Sequence, residues 1–143
     1  MPILSDDIKA QLKERLATSL RGPVELRLRT RPSAGPLIIP GAETCETCDP
    51  CREIAEGLAE ASRLVRLVVT EDRGVTAPVI EIAPPGEPAR ITFEGLPSGY
   101  EFAGLLDAIE RVSSADSGLS EKTRTALAAL EQDVELMVFV TPT

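Results

Sequence analysis

Near the start of the chain apolar residues recur every fourth position. Ile8, Leu12, Leu16 and Leu20 fall on one face of a helix that begins at Ser5. Asp6 and Asp7 suit the positive end of that helix, and Gly22-Pro23 ends it. The period then changes to two. Val24, Leu26 and Leu28 alternate with Glu25, Arg27 and Arg29, which predicts a strand with one buried face. Residues 31–43 are rich in Pro and Gly, with Leu37-Ile38-Ile39 as a candidate short strand. From Asp49 the helical period returns. Asp49 can cap, Pro50 suits the first helical position, and Ile54, Leu58 and Ala61 form the stripe that Ala55 and Ala59 widen.

Val65 to Val69 is a β-branched run fit for an interior strand. A turn through Glu71-Asp72-Arg73-Gly74 leads to a second apolar run, Val75 to Ile80, which Pro78 opens at a position where proline is allowed. After the turn at Pro84-Pro85-Gly86, Ile91 and Phe93 alternate with Arg90 and Thr92, as in a hairpin partner. Ser98-Gly99-Tyr100-Glu101 matches a capping box for a helix with a stripe of Phe102, Leu105, Leu106, Ile109 and Val112. Tyr100 is expected to pack near the start of that helix. A polar linker from Ser113 to Gly118 precedes a helix from Ser120 to Leu130, and Val134 to Val140 reads as a closing strand. These elements make an α/β fold: a central mixed sheet flanked by helices, with an extra N-terminal helix and an extra C-terminal helix-strand.

Composition narrows the function classes. At 143 residues the chain is one domain with room for a full core. A net charge of −8 argues against nucleic acid and anionic membranes as partners. No apolar run approaches the roughly 20 residues of a membrane span, and the first residues lack the apolar core of a signal peptide. A cytoplasmic protein is the default expectation.

The candidate chemistry lies in Cys45-Glu46-Thr47-Cys48-Asp49-Pro50-Cys51, which holds all 3 cysteines. The chain has 0 histidines, so imidazole-driven nucleophiles and histidine metal sites are excluded and thiolate chemistry is left. Cys48 is predicted just ahead of the helix and Cys51 in its first turn, where the unpaired N–H groups and the dipole favour a thiolate. The expected outcome is a redox dithiol with a modestly lowered thiol pKa, Asp49 opposing the shift by like charge.

The residues resemble a known family. Cys48-Asp49-Pro50-Cys51 at a helix start, Ala77-Pro78 before an antiparallel strand, and the order β-α-β then β-β-α are similar to thioredoxin and glutaredoxin relatives. Glu94-Gly95-Leu96-Pro97-Ser98-Gly99-Tyr100-Glu101-Phe102-Ala103 and the stretch from Leu130 through Thr143 resemble the N-terminal unit of tandem-thioredoxin, glutaredoxin-like protein disulfide oxidoreductases. In those proteins a second Cys-Pro-x-Cys unit follows the Thr-Pro-Thr, where this sequence stops. The resemblance implies a thioredoxin-like domain over residues 1–115, and over 116–143 a linker helix and strand that would begin a second unit. It implies that Cys48 is the exposed attacking thiol and Cys51 the buried resolving thiol, that Pro78 is a cis proline facing the dithiol, and that Ala77 offers its backbone to an extended substrate. It further implies thiol–disulfide exchange with protein disulfides, no cofactor, and a second thioredoxin-like unit or a reductase as partner.

Three features depart from that pattern. A Pro/Gly-rich insertion follows the Val24 strand, the span from Thr70 to Thr76 is too short for the helix that normally links those strands, and Cys45 is an extra thiol. Cys45 could pair with Cys48, act as a second resolving thiol, or stand by as a spectator; it is read as the spectator, and as the candidate auxiliary thiol. The rival readings are a thioredoxin-shaped scaffold or interaction domain that docks through its terminal apolar strand, and a metal or Fe-S site. The last would need a fourth ligand beyond the three cysteines, and no metal is expected. Glu53, Glu56 and Glu60 read as a solvated helix face. Glu25 is a candidate buried acid with no assignable role.

Overall fold

The alternating strand at Val24 organises the sheet. In a computed structural model, which describes residues 2–33, 40–41 and 43–141, this strand is β1 (Val24–Thr30). It pairs in parallel with β2 (Val65–Glu71), Leu26 beside Leu67. Its other edge pairs antiparallel with β3 (Val79–Ala83), Leu28 beside Ile80. β3 pairs antiparallel with β4 (Ile91–Glu94), Ile80 beside Phe93. The order is β2-β1-β3-β4. Because side chains alternate across a strand, Val24, Leu26, Leu28, Ile80 and Ile82 share one face and are buried there. Each such side chain contributes about 1.5–3 kcal/mol by leaving water.

That face is covered by α2 (Cys48–Ala61) and α3 (Tyr100–Ser114), through Ile54 and Leu58 of the first and Leu105 and Ile109 of the second. α1 (Asp6–Ser19) lies against α2 and adds Leu12 and Leu16 to the same core. Gly57, mid-helix in α2, is set by packing: a Cβ there would collide with the side chain of Leu4. Glu53 holds that approach by accepting the N–H groups of Ile3 at 2.6 Å and Leu4 at 3.3 Å. The turn from α1 into β1 is latched by Ser113 Oγ, which accepts from Arg21 N and Gly22 N at 2.9 and 3.0 Å. The same hydroxyl donates to Gly22 O at 2.7 Å.

The opposite face of the sheet carries Glu25, Arg27, Arg29, Arg66 and Glu81, half-buried or exposed. Residues 72–78 form a turn and bends with no helix, as the short span predicts, so that face stays polar. Glu25 belongs to it, paired with Arg27 Nε at 2.7 Å. It therefore faces away from the helix that carries the cysteines.

Several expectations are corrected. β2 is an edge strand, with its apolar side under α2 rather than between two strands. Glu53 is no bystander on a solvated face, since it anchors residues 3 and 4. The capping box before α3 is not formed: Gly99 is the N-cap, at φ 58°, without a side-chain bond. Tyr100 is 85% exposed, because the first turn of α3 points it away from the core. α4 (Glu121–Ala128) forms as a short helix capped by Ser120, with no buried residue. Val134 to Val140 form no strand and lie exposed, since no sheet edge among the described residues pairs with them. The candidate strand at Leu37-Ile38-Ile39 lies outside the described residues. No helix among the described residues is long and apolar enough to cross a membrane.

Candidate functional site

The cysteines sit at the end of the sheet where β1 and β2 finish, β3 begins and α2 starts. This placement follows from the β1–α2–β2 order, because a helix crossing back over two parallel strands begins beyond their C-terminal ends. Backbone hydrogen bonds knit that end together. Asp72 N donates to Thr30 O at 2.9 Å, and Gly95 N donates to Pro78 O at 2.8 Å.

Here the structure departs from the expected pairing. Cys45 and Cys48 form a disulfide with a Cα–Cα distance of 5.4 Å, and Cys51 is a free, buried thiol. Cys45 is therefore no spectator, and Cys48–Cys51 is not the bond that is formed. The reason is geometric. α2 begins at Cys48, earlier than Asp49 and Pro50 suggest, with Thr47 as an N-cap that makes no side-chain bond. Cys48 and Cys51 are thus both helical, and positions i and i+3 of a helix hold their Cβ atoms about 5–6 Å apart. A disulfide wants roughly 3.5–4.5 Å. Cys45 precedes the helix across a tight turn, in which Cys48 N donates to Cys45 O at 3.4 Å. Asp49 does not cap the helix; it accepts from Ser33 Oγ at 2.6 Å.

Burial separates the three sulfurs. Cys45 is half-buried and Cys51 is buried as expected, but Cys48 is buried too, at 2% exposure, and is not the exposed thiol that the resemblance implies. Cys51 sits in the apolar core, and burial pushes its thiol up to about 12. The modest lowering expected of the dithiol motif does not hold at Cys51, where desolvation outweighs the helix dipole. Cys48 Sγ keeps one polar contact, accepting the backbone N–H of Arg31 at 3.4 Å. A thiolate released at Cys48 would meet that donor and the unpaired N–H groups of the helix start.

Arg31 was not visible as a site residue from the sequence, where it opens a Pro/Gly-rich stretch. In the structure it joins both halves of the site. Its backbone reaches Cys48, and its guanidinium donates to Val75 O at 3.2 Å and lies 3.9 Å from Glu43 Oε2. The usable signal was a basic residue placed directly after the strand that feeds the thiol helix. Ala77 is half-buried and Pro78 fully buried, both in the segment that Arg31 ties to the cysteines. The Ala77–Pro78 bond is trans, since none of the described peptide bonds is cis. The trans form is the favoured one by about 0.5–1 kcal/mol. Thr30, next to Arg31, has a fully buried hydroxyl without a hydrogen-bond partner among the described residues.

Among the described residues no group of three His, Cys, Asp or Glu side chains is placed to hold a metal ion. A groove of about 390 Å³, lined by Ile82, Pro84, Ile91, Val112 and Leu119 among others, lies at the far end of β3 and β4 from the cysteines. What the cysteine end offers is a disulfide with a third thiol one helical turn behind it, an arrangement suited to thiol–disulfide exchange.

No protein-family model matches this chain, and no curated protein matches it. Solved structures do. A protein disulfide oxidoreductase from Aeropyrum pernix K1 superposes with a TM-score of 0.69 at 26% identity, over 89% of this chain and 55% of that one. The NTD_N/C domain of alkylhydroperoxide reductase AhpF from Enterococcus faecalis V583 gives 0.68 at 19% identity, over 90% and 61%. Sso1120 from Sulfolobus solfataricus gives 0.58 at 14% identity, over 85% and 58%. The chain thus spans between 55% and 61% of the length of these three chains. A mixed sheet ordered β2-β1-β3-β4 with a cysteine pair opening its first core helix, in a frame shared with a disulfide oxidoreductase, makes this chain a thioredoxin-fold protein.

Proposed function

We propose that the protein is a thiol–disulfide oxidoreductase that exchanges its cysteine disulfide with disulfides of other proteins. The observation that carries this reading is the Cys45–Cys48 disulfide at the start of α2, with Cys51 in the following turn. Cys48 is the sulfur through which exchange passes. Once reduced, its thiolate attacks a substrate disulfide, a mixed disulfide forms, and a neighbouring thiol of the same chain displaces the reduced product. Cys51 is the resolving thiol of that scheme, tethered so that displacement is intramolecular, and the Cys48–Cys51 bond it leaves is a second oxidised form beside the Cys45–Cys48 form seen in the structure. Ala77, half-buried, offers its backbone to an extended substrate segment, and the buried Pro78 next to it sets the course of that backbone. Residues 1–115 are the thioredoxin-like unit, and residues 116–143 a linker that begins a second such unit. A second unit or a reductase supplies electrons in the cytoplasm.

The test is turnover of a protein disulfide such as insulin by the reduced chain, with thiol mapping of the product. Wild-type protein should reduce the substrate, and Cys48→Ser should lose at least about 100-fold of the rate, the loss of a nucleophile. A Cys45→Ser, Cys51→Ser double variant should trap substrate on Cys48. If Cys48→Ser retains full turnover, or if the wild type exchanges with nothing, the thioredoxin-shaped scaffold is the correct reading.

A further inference from the structure

The three sulfurs are arranged for an exchange that a simple dithiol does not contain. Cys48 is bonded to Cys45, while Cys51 stands one helical turn behind Cys48 as a thiol with 0% exposure. A thiol, a disulfide and reach are what internal exchange requires, and here they lie within one loop and one turn. The Cβ atoms of Cys48 and Cys51 need to close by only about 1–2 Å to move from helical spacing to disulfide spacing. The turn that must tighten is closed by one backbone bond, from Cys51 N to Thr47 O at 3.0 Å. Beyond that bond, Thr47 gives it no side-chain cap and Pro50 brings no N–H. Of the two bonded sulfurs, the one belonging to the more exposed residue is Cys45.

We propose that Cys45, Cys48 and Cys51 form an internal disulfide relay, which rests on the oxidoreductase reading and specifies how its site is regulated. Cys51 gives a proton to water, and its thiolate attacks Cys48 Sγ. The Cys48–Cys51 bond forms as the Cys45–Cys48 bond breaks. Cys45 leaves with the electron pair as a thiolate and takes a proton from water. The step is redox-neutral and uses no outside oxidant. Its effect is to change which thiol faces solvent. With Cys45–Cys48 bonded, the remaining thiol is buried; after the swap the thiol is Cys45, in the loop ahead of α2. The buried state of Cys51 makes the swap slow, since a thiol near 12 is ionised in only about one molecule in 10⁵ at neutral pH. Any movement that admits water to the start of α2 opens the gate.

The fully oxidised protein, freed of reductant, is incubated folded with N-ethylmaleimide at fixed pH, quenched in acid at intervals and mapped without reduction. Cleavage at Glu46 and at Asp49 places the three cysteines on separate peptides. The expected product carries the label on Cys45 with Cys48 bonded to Cys51, and forms at a rate that does not change with label concentration. Cys51→Ser should keep the Cys45–Cys48 bond and take up at least about tenfold less label; Cys51→Ala serves if that variant does not fold. Label on Cys51 with Cys45–Cys48 intact overturns the relay, and so does the absence of label. Turnover of Cys45→Ser on a protein disulfide separates the two claims. Turnover there without relay labelling in the wild type discards the relay and keeps the oxidoreductase. Relay labelling with no turnover by wild type discards the oxidoreductase and leaves an isolated switch.

Discussion

Residues 24–30 and residues 134–140 carry similar apolar patterns and meet opposite fates. Val24-Glu25-Leu26-Arg27-Leu28-Arg29-Thr30 is paired on both edges and buried on one face. Val134-Glu135-Leu136-Met137-Val138-Phe139-Val140 pairs with no strand among the described residues, and Phe139 is 88% exposed. A β-compatible pattern marks a segment that fits a sheet, but the sheet edge and the helix layer make the strand. The largest expected effect tests that contrast directly. Leu26→Ala should cost about 2–5 kcal/mol by opening a cavity, whereas Leu136→Ala should stay within about 0.5 kcal/mol. Urea midpoints at constant m measure both. A Leu136→Ala cost equal to that of Leu26→Ala would mean the tail is paired in solution, and the contrast would fail.

The buried thiol sharpens the comparison from inside the packed region. Cys51 is neutral when folded, with its thiol pushed up to about 12 by burial, against about 8.5 in an unfolded chain. The folded state therefore holds the proton more tightly, so this stabilisation is complete below about pH 8.5 and is lost as pH rises towards 12. Stability should fall by about 1.4 kcal/mol per pH unit within that window. Cys51→Ala should lack this slope. Denaturation at pH 8, 9 and 10 on both proteins would show it, and parallel curves would mean that water already reaches Cys51.

The fold was legible where a pattern and its partner lie close in sequence. Ile54 and Leu58 of α2, and Leu105 and Ile109 of α3, announced their buried faces by spacing alone, and the cysteine cluster announced the site. What spacing could not reveal was competition among neighbours. Cys45 and Cys51 stand equally far from Cys48 in sequence, and the choice falls to the start of the helix, which Asp49 and Pro50 place late and the structure places at Cys48. Tyr100 and the tail failed for another reason: an apolar or aromatic residue is buried only if a surface is left to receive it. Arg31 stayed hidden because its tie to Cys48 comes from a backbone N–H, which every residue but proline carries, and only its guanidinium bond to Val75 O depends on its being a basic residue.

A smaller effect is expected at Thr30, which is packed like Leu26 but bears a buried hydroxyl without a described partner. Thr30→Val removes that unsatisfied group at nearly constant shape, so it should stabilise the fold by about 1 kcal/mol. A rise in the urea midpoint without loss of exchange turnover is the expected result. Destabilisation would mean that the hydroxyl has found a partner, and a fall in turnover at unchanged stability would assign it to the thiol chemistry.

The smallest effect belongs to the surface of the packed region, where Arg15 of α1 holds Glu110 of α3 at 2.7 Å and Asp107 at 3.0 Å. The hydrogen bond from Arg15 holds the Glu110 carboxyl below the usual range, against the opposing pull of desolvation. Arg15 is 41% exposed, so solvent screening limits the pair to less than about 1 kcal/mol. A carboxyl with a lowered folded pKa stabilises above its unfolded value of about 4.3 and loses that contribution as pH falls through the folded value. Glu110→Gln should therefore be slightly less stable than the wild type at pH 7 and equal to it in acid well below pH 4. The deficit at pH 7 should also shrink in about 1 M salt, where charges are screened within about 3 Å. A deficit that persists in acid and salt would point to packing of the side chain, and α1 would then be held to α3 by shape, as α2 is held to the sheet.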